Sequence, residues 1–338
     1  MTAAEQSGVE GLVLDLPLGG TILPLDRVNP QHAHLREAHD RWFADRLIGR
    51  QRDKVLDRIK RHDMAGLATR AAPSADVGYL LDAALFTTTG FIVDDELEDP
   101  DTPPRLIDAY LAVADESDTA VDSDDLRLWA DSLAQTRSHL TPGQKTRHCR
   151  GLSEWVKCHA GREGQLEHTR DLASYLDFRR ADSGFSFLTV GVERSAGVDL
   201  EQMMHSSDLE TLHAACLAHG TLVNDLFSYR KERDAPVPMN AVPVLQRAEG
   251  LTLQAAVDKV CGLIRRAELD VDRLVRKWKE TDRAQALYAY AHAWWELLGG
   301  HLRWTMESER YHGRGHVWDG TFPTAMVLYP DRTVLVSA

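Results

Sequence analysis

Asn224, Ser228 and Glu232 are spaced four residues apart, and together their side chains could bind a metal ion. Each step of four residues turns an α-helix by about 400°, so the three side chains drift by about 40° per step and share one face. An amide oxygen, a hydroxyl and a carboxylate are hard oxygen ligands of the kind that Mg²⁺ binds. Arg230 and Lys231 lie beside them, which suits an anionic ligand. A capped helix with a solvated polar face would show the same residues.

A second group of oxygen ligands follows a long apolar pattern and ends the helix predicted over residues 77–98. Asp94 pairs with Glu98, and Asp95 with Asp99, at a spacing of four, so like charges repel on adjacent faces. Carboxylates at a helix C-terminus also oppose the helix dipole. A bound cation relieves both effects, and Mg²⁺ commonly bridges carboxylates to substrate phosphates. The alternative is a helix that ends in a solvated turn.

Two groups of basic residues could bind an anion. Arg179 and Arg180 end a helical pattern and precede a Ser-Gly break at residues 183–184. The planar fork of arginine matches phosphate oxygens and keeps its charge, although an arginine pair at a helix C-terminus is also ordinary dipole pairing. The backbone carbonyls at such a break could stabilise a carbocation. Arg310 and Tyr311 would add a second anion clamp if a metal-bound diphosphate lay nearby.

Helical patterns cover most of the chain and predict an all-α fold, with one helical domain around an apolar cavity. We expect an irregular strap over residues 1–28, the helical domain over 29–312, and a C-terminal tail over 313–338 that is a candidate lid. The predicted helices begin after Asn29, which would cap the first of them, and run over residues 30–47, 55–66, 77–98, 106–114, 126–133, 152–160, 168–180, 209–232, 253–280, 283–298 and 301–311. Residues 333–336 are the one candidate strand.

Composition excludes several classes of protein. The chain has 39 basic and 52 acidic residues, a net charge of −13, which disfavours a nucleic-acid binder. Its four cysteines form no CxxC pair or zinc spacing, and no apolar run approaches the ~20 residues that span a bilayer. The N-terminus lacks the basic region of a signal peptide. We therefore expect a soluble cytoplasmic protein without nucleic-acid or membrane partners.

The four groups together resemble class I terpene synthases of the microbial, single-domain type. The resemblance runs from the helix before Asp94 to Tyr311, and the order and spacing of the groups fit. Its most specific part is the second metal motif of the family, which this chain matches at every defined position: Asn224, Asp225, Leu226, Ser228 and Glu232. The aspartate-rich motif matches more loosely, with Asp94 and Asp95 in place and either Glu98 or Asp99 as the third acid.

The resemblance implies an enzyme that uses three Mg²⁺ ions, with Mn²⁺ as a possible substitute, on a linear isoprenyl diphosphate. Farnesyl diphosphate is favoured because it is the common substrate of the family; geranyl and geranylgeranyl diphosphate stay open, as does a homodimer. The implied metal ligands are Asp94, Asp95, Glu98, Asp99, Asn224, Ser228 and Glu232. The implied diphosphate ligands are Arg179, Lys231, Arg310 and Tyr311. The implied sensor, linker and carbonyl-bearing effector are Arg179, Asp182 and Ser183, or alternatively Arg180, Ser183 and Gly184; we prefer the first set.

Aromatic side chains are candidates for stabilising a carbocation in a dry pocket by about 0.5–2 kcal/mol each. Plain core packing would explain each of them equally well. The candidates are Phe86, Phe91, Phe185, Trp295 and Trp304.

Three other interpretations rank lower. A trans-prenyl diphosphate synthase would carry a second aspartate-rich motif where this chain has Asn224, Ser228 and Glu232. A di-iron helical bundle needs two Glu-x-x-His motifs, which occur at 210–213 and 309–312. The Asp-Ser-Asp-Asp sequence at 122–125 resembles the acid motif of class II cyclases, but it lies in a polar stretch and is expected to be a solvated turn.

Overall fold

The structure is a computed structural model and describes residues 11–48, 52–99, 101–119, 123–160, 165–201, 206–234, 239–281 and 284–337. Helices dominate these ranges, and three short strands come from the two ends of the chain. In chain order the elements are β1 (Leu12–Asp15), α1 (His32–Arg46), α2 (Arg52–His62), α3 (Met64–Ala71), α4 (Val77–Leu97), α5 (Pro104–Ala114), α6 (Asp124–Arg137), α7 (Pro142–Ala160), α8 (Gln165–His168), α9 (Leu172–Asp182), α10 (Phe185–Ser195), α11 (Ser207–Glu232), α12 (Ala241–Glu249), α13 (Leu253–Lys279), α14 (Gln285–Glu307), α15 (Glu309–His312), β2 (Pro323–Leu328) and β3 (Thr333–Ser337).

Helix α4 is a long apolar helix that carries the acidic group at its C-terminal end. Asp76 caps it by accepting a hydrogen bond from the Tyr79 amide at 2.9 Å. The helix packs against α1, α3 and α6. Contrary to the sequence expectation, its 21 residues are long and apolar enough to cross a membrane, but half of the most apolar window is buried inside the domain. Its apolar surface is therefore that of a core helix.

Helix α11 is the second long core helix and carries the second metal motif in its last two turns. The Ser206 hydroxyl caps it by accepting a hydrogen bond from the Leu209 amide at 3.2 Å. It packs against α13 and α14, and its side chains belong to the largest apolar cluster of the domain. Because α11 is one continuous 26-residue helix, residues four apart lie on one face.

Helix α14 is continuous, whereas the sequence predicts one helix that ends at 298 and another that starts at 301; residue 283, the predicted start, lies outside the described residues. The predicted break relies on Gly299-Gly300, because glycine weakens helix interiors. At Gly300 an added Cβ would lie 2.2 Å from the backbone carbon of Arg70. The glycine therefore permits α3 to cross α14 closely, and the helix continues through it.

The strap is not irregular throughout, since its residues 12–15 form β1; residues 1–10 lie outside the described part. β1 pairs antiparallel with β2, which pairs antiparallel with β3, and Leu14 lies opposite Met326. The predicted strand near 333–336 is confirmed as part of β3. The all-α prediction is confirmed for the helical domain, to which the two chain ends add this small sheet.

Two further boundary predictions are wrong. The first helix begins at His32 rather than at residue 30, with Gln31 at its N-cap position. The buried Asn29 side chain lies just before it: its oxygen accepts a hydrogen bond from the Gln31 amide at 2.9 Å, and its nitrogen donates to the carbonyls of Pro73 and Ala75. The predicted helix at 55–66 divides after His62, because Asp63 has a left-handed backbone (φ 50°) and caps α3.

The acid sequence at 122–125 was predicted to be a solvated turn, but its residues 123–125 instead begin α6. Asp122 lies outside the described residues, but Ser123 caps α6 by accepting a hydrogen bond from the Leu126 amide at 3.1 Å. Asp124 and Asp125 form the first turn of α6, where negative charge complements the helix dipole. These acids therefore have a local structural explanation.

Candidate active site

The acidic end of α4 divides into two sets of contacts. The Asp94 carboxylate lies 3.2 Å from Nε2 of His159, and one ligand atom each from Asp94, Glu98 and His159 lies within 4.8 Å of the others. Asp95 turns to Arg58 at 3.6 Å and to Arg310 at 3.5 Å. The structure therefore brings Glu98, not Asp99, to Asp94.

Asp99 has a local role instead. Its carboxylate accepts a hydrogen bond from the Asp101 amide at 2.9 Å and so closes the turn after α4.

Burial opposes the charged form of Asp94, but the hydrogen bond from His159 and the charges of Arg310 and Arg179 outweigh it and lower the pKa of Asp94. The Asp94 carboxylate therefore keeps its negative charge although it is largely buried.

Asn224, Ser228 and Glu232 lie in α11 as predicted, at its C-terminal end. The Asn224 amide donates a hydrogen bond to the Tyr311 hydroxyl at 2.9 Å, which leaves the amide oxygen for a ligand. The Glu232 carboxylate accepts a hydrogen bond from Asn240 at 2.9 Å. Burial raises the pKa of Glu232 against the opposing hydrogen bonds from Asn240 and Ser228. A cation in front of this face would offset the burial of that carboxylate.

The basic residues beside α11 face in different directions. Burial, with help from Arg310 and Arg230, lowers the pKa of Lys231 to about 8. Arg310 lies over the Phe91 ring, 4.2 Å from its centroid, so it joins the acidic end of α4 to the aromatic interior. Arg230 instead donates to the C-terminal hairpin, at 3.1 Å to the Pro330 carbonyl. Of the predicted diphosphate ligands, Lys231 and Arg310 therefore lie near each other, and Arg58 adds a further cation beside Asp95.

The break between α9 and α10 distinguishes the two arginines of the third group. Arg179 forms an ion pair with Asp182 and lies 3.8 Å from the Asp225 carboxylate. Arg180 lies over the Phe185 ring, 5.6 Å from its centroid. The geometry supports the preference for Arg179 as the sensor, with Asp182 as its partner.

Gly184 lets the chain turn between these two helices. Its φ is +68°, a left-handed conformation that side chains rarely adopt, and an added Cβ would meet the Phe187 ring at 2.1 Å. Ser183 ends α9, and its hydroxyl donates to the Arg179 carbonyl at 2.6 Å. The predicted break is therefore present at 183–184.

Asp225 is a buried residue to which the sequence assigned no role. Its carboxylate, 1% exposed, accepts hydrogen bonds from the Tyr175 hydroxyl at 2.7 Å and the Ala241 amide at 2.9 Å. Burial raises the pKa of Asp225 to about 7, although the neighbouring Arg179 acts in the opposite direction. The carboxylate thereby ties α9 and α12 to α11, the helix of the second metal motif.

The candidate aromatic residues lie in three places. Phe91 lies 6.2 Å from Trp304, and Trp304 lies 5.6 Å from Tyr311, so these rings adjoin the site. Phe86 packs with Trp129 at 5.7 Å, in a separate apolar cluster. The other two candidates belong to the main cluster, where Phe185 stacks on Trp294 at 5.2 Å and Trp295 packs at the margin. The structure does not bring Phe86 to the others, and its substrate contact stays a prediction.

Direct contacts join all four predicted groups. Arg310 links α15 to Asp95 of α4, and Tyr311 links α15 to Asn224 of α11. Arg179 of α9 reaches Asp225 of α11. His159 of α7 completes the connection, because its Nε2 lies 3.2 Å from Asp94 and 3.7 Å from Asp182.

Besides Arg58, which contacts Asp95, sequence reasoning missed His159, Tyr175 and Asn240. None of them belongs to a spaced motif, and each reaches the site from a different element: α7, α9 and the residue that precedes α12. Their one signal was residue type, a side chain that can form hydrogen bonds, and many structural residues share it.

The di-iron alternative is not supported by the contacts of its two histidines. Nε2 of His213 lies 2.8 Å from the Tyr290 hydroxyl, and Nε2 of His312 lies 2.8 Å from the Thr305 carbonyl. Glu309 pairs with Arg61 at 3.2 Å. Both histidines are thus engaged in the packing of α14.

The family comparison agrees with this geometry. Residues 85–270 match the family model described as terpene synthase family 2, C-terminal metal binding. The chain belongs to this terpene synthase family. The matched range contains the acidic end of α4, the α9–α10 break and the metal motif of α11, and it implies a divalent-metal site. The expected family is confirmed, and a trans-prenyl diphosphate synthase becomes the less favoured interpretation.

Individual relatives and solved structures point the same way. Sesquiterpene synthase Agr1 from Cyclocybe aegerita is 33% identical over 152 residues, which are 43% of this chain and 42% of that protein, so the alignment spans less than half of either. A (3S,6E)-nerolidol synthase from Selaginella moellendorffii is 26% identical, with 94% of this chain and 91% of that protein covered. The linalool/nerolidol synthase structure from Streptomyces clavuligerus superposes with a TM-score of 0.71 at 21% identity, over 84% of this chain and 99% of that one. At that identity the structural match shows the fold.

Proposed function

We propose that this chain is a class I terpene synthase that ionises a linear isoprenyl diphosphate and converts the resulting allylic cation to a terpene. One observation carries the proposal: direct contacts join two groups of oxygen ligands, two groups of cations and aromatic rings around one place. Anion binding alone would not need the acidic groups, and metal binding alone would not need the cations.

Farnesyl diphosphate is the proposed substrate. Relatives named sesquiterpene and nerolidol synthases support this choice, since such products have the fifteen carbons of a farnesyl chain. Geranyl and geranylgeranyl diphosphate are the alternative chain lengths. We also propose a cytoplasmic enzyme without nucleic-acid or membrane partners, in keeping with the net charge of −13, and a homodimer as its candidate assembly.

The donor sets fit divalent cations. The Asp94 group offers carboxylates and an imidazole within 4.8 Å of one another, and the α11 face offers an amide oxygen, a hydroxyl and a carboxylate. We propose that Asp94 and Glu98 hold two Mg²⁺ ions, that Asn224, Ser228 and Glu232 hold a third, and that Mn²⁺ can substitute. When bound, these ions would neutralise the charge of the diphosphate and make it a better leaving group.

The chain's own cations orient the leaving group. Arg310 and Lys231 stand between the two metal groups, where they can donate to diphosphate oxygens from one side. Arg179, held by Asp182, approaches from the α9–α10 break. As the carbon–oxygen bond breaks, both electrons leave with the diphosphate, and these donors stabilise the charge that develops there.

Aromatic rings would face the allylic carbocation, on the side of the substrate away from the diphosphate. Trp304 is held by a hydrogen bond from its indole nitrogen to the His62 carbonyl at 2.8 Å, so its ring has one orientation. Phe91 lies beside it. Their π faces can stabilise positive charge by about 0.5–2 kcal/mol each, and their bulk excludes water. The terpene forms when the cation loses a proton or captures water.

The test is incubation of the purified chain with geranyl, farnesyl or geranylgeranyl diphosphate and Mg²⁺, with products identified by gas chromatography. We expect a terpene from farnesyl diphosphate. Asp94→Ala and Asn224→Ala should each abolish turnover without unfolding the protein, whereas Glu210→Ala, on the exposed side of α11, should leave it unchanged. Full activity in either of the first two variants, or chain elongation with isopentenyl diphosphate, would overturn the proposal.

A further inference from the structure

His159 lies against the acidic end of α4, although it belongs to no motif of the sequence. Its side chain is 2% exposed, and its Nε2 lies 3.2 Å from Asp94. One ligand atom each from His159, Asp94 and Glu98 lies within 4.8 Å of the others, a separation that a shared cation can bridge with small side-chain movements. We propose that His159 is a nitrogen ligand of the metal site at Asp94. This inference rests on the proposed function, because it concerns one of the sites proposed there.

The ring of His159 is oriented by its other nitrogen. Nδ1 lies 2.9 Å from the Trp155 carbonyl, one turn earlier in α7. A carbonyl oxygen only accepts hydrogen bonds, so Nδ1 carries a hydrogen. In the metal-free protein Nε2 donates its own hydrogen to the Asp94 carboxylate, so Nε2 is the atom that a cation would bind after replacing that hydrogen. Metal-binding histidines commonly donate their second N–H to a carbonyl or carboxylate, which fixes the ring and its tautomer. His159 has that arrangement, and a cation that replaced the Nε2 hydrogen would meet a nitrogen already directed at Asp94.

Packing against the neighbouring residues fixes the imidazole plane as well. The Trp155 ring meets the His159 ring edge-on, with 5.2 Å between centroids. Asp94 is 26% exposed and Glu98 is exposed, so the group opens outward from a buried base. A cation can therefore enter from the side of the carboxylates and meet the nitrogen at the bottom of the site.

Another buried histidine of α7 shows a different environment. His148 packs between the rings of Phe86 and Phe187, at 5.5 and 6.2 Å, and its Nδ1 has no hydrogen-bond partner within the described part of the chain. His148 is thus a histidine of the aromatic core, while His159 faces the carboxylates of Asp94 and Asp182. Core packing accounts for His148, whereas polar contacts with Asp94 and the Trp155 carbonyl set the direction of His159.

The proposal makes the two metal sites chemically unequal. The α11 face offers oxygen ligands only, which suit Mg²⁺. An imidazole added to two carboxylates favours first-row transition ions such as Mn²⁺ relative to Mg²⁺. The Asp94 site should therefore be the one that selects Mn²⁺ when both ions are present.

Pulsed electron paramagnetic resonance of Mn²⁺ tests this inference without turnover. The purified full chain is loaded with Mn²⁺ and inorganic diphosphate, with no isoprenoid present. We expect nitrogen coupling to Mn²⁺ that changes from the ¹⁴N to the ¹⁵N pattern when the protein is grown on ¹⁵N-histidine. This arm uses the unmutated protein, so it does not depend on the folding of a variant.

Two variants assign the coupling to one residue. His159→Gln should remove it and weaken Mn²⁺ binding by about tenfold or more, with a smaller effect on Mg²⁺ binding. His148→Gln, the matched buried histidine of α7, should keep the coupling. Absence of histidine coupling in the unmutated protein, or its survival in His159→Gln, overturns the inference even if the enzyme makes a terpene. Failure to bind Mn²⁺ with diphosphate overturns both this inference and the proposed function.

Discussion

Asn240 connects the metal motif of α11 to the start of α12, and its replacement by alanine should be unusually costly. The side chain is fully buried. Its oxygen accepts a hydrogen bond from the Val242 amide at 2.9 Å and so caps α12. Its nitrogen donates to the Asp225 carbonyl at 2.6 Å and to the Glu232 carboxylate at 2.9 Å. Asn240→Ala removes all three hydrogen bonds at once.

The expected loss of stability follows from these contacts. A lost helix cap costs about 1 kcal/mol, and a lost hydrogen bond to a charged group costs about 1.5–3 kcal/mol. The bond to the Asp225 carbonyl adds about 1 kcal/mol. Asn240→Ala should therefore lower the free energy of unfolding by about 4 kcal/mol, which for a chain of this length lowers the Tm by roughly 6 °C.

Two comparison variants separate the contributions. Thr252→Ala removes only a cap, because its exposed hydroxyl accepts a hydrogen bond from the Ala255 amide at 3.2 Å; it should cost about 1 kcal/mol. Asn240→Asp keeps the cap of α12 but places a second carboxylate against Glu232, so it should also destabilise the free protein.

Thermal unfolding followed by circular dichroism measures all three variants, with and without Mg²⁺ and diphosphate. The rise in Tm on adding these ligands should shrink in Asn240→Ala and persist in Thr252→Ala, because only the first releases the Glu232 carboxylate. If Asn240→Ala were no less stable than Thr252→Ala, the hydrogen bonds to α11 would contribute nothing, and this reasoning would be refuted.

Three kinetic predictions address the charged groups of the site. Arg179→Ala should lower kcat by about 100-fold or more, whereas Arg180→Ala should leave it near that of the unmutated enzyme; equal losses would contradict the sensor assignment. Glu98→Gln should raise the Mg²⁺ concentration for half-maximal activity by about tenfold, and Asp99→Asn should not, so the reverse order would exclude Glu98 as the third acid. Because burial lowers the pKa of Lys231 to about 8, this side chain loses its positive charge as the pH rises through that value, and kcat/KM should fall there. Lys231→Arg should remove the fall, since arginine keeps its charge; a fall that persisted would assign it to another group.

The metal motifs were visible in the sequence because their geometry is local. Asn224, Ser228 and Glu232 needed only a helix to share a face, and α11 supplies it. The sequence alone could not decide whether Glu98 or Asp99 is the third acid, because no regular helix fixes the positions of these two residues. Residue 97 is the last of α4, so the choice between the next two acids depends on how the chain leaves the helix.

The errors of prediction arise where distant segments meet. Gly300 resembles a helix break until Arg70 of α3 is placed against it, and the close crossing then explains the glycine. Likewise β1 is too short to show a strand pattern, and its partner β2 lies at the far end of the chain. In both cases tertiary packing outweighs a local propensity of about 1 kcal/mol or less.

The residues that orient the proposed metal ligands have no sequence signal for a physical reason. A ligand must match the chemistry of the ion, so its type and spacing are restricted, whereas a supporting residue needs only a suitable atom at hydrogen-bond distance. His159 reaches Asp94 from α7, and Asn240 reaches Glu232 from the turn before α12. Many side chains on many elements could meet such a need, so only the assembled fold shows which ones do. Variants of these two residues therefore test the structure itself, whereas variants of Asp94 or Asn224 test a conclusion that the sequence already supports.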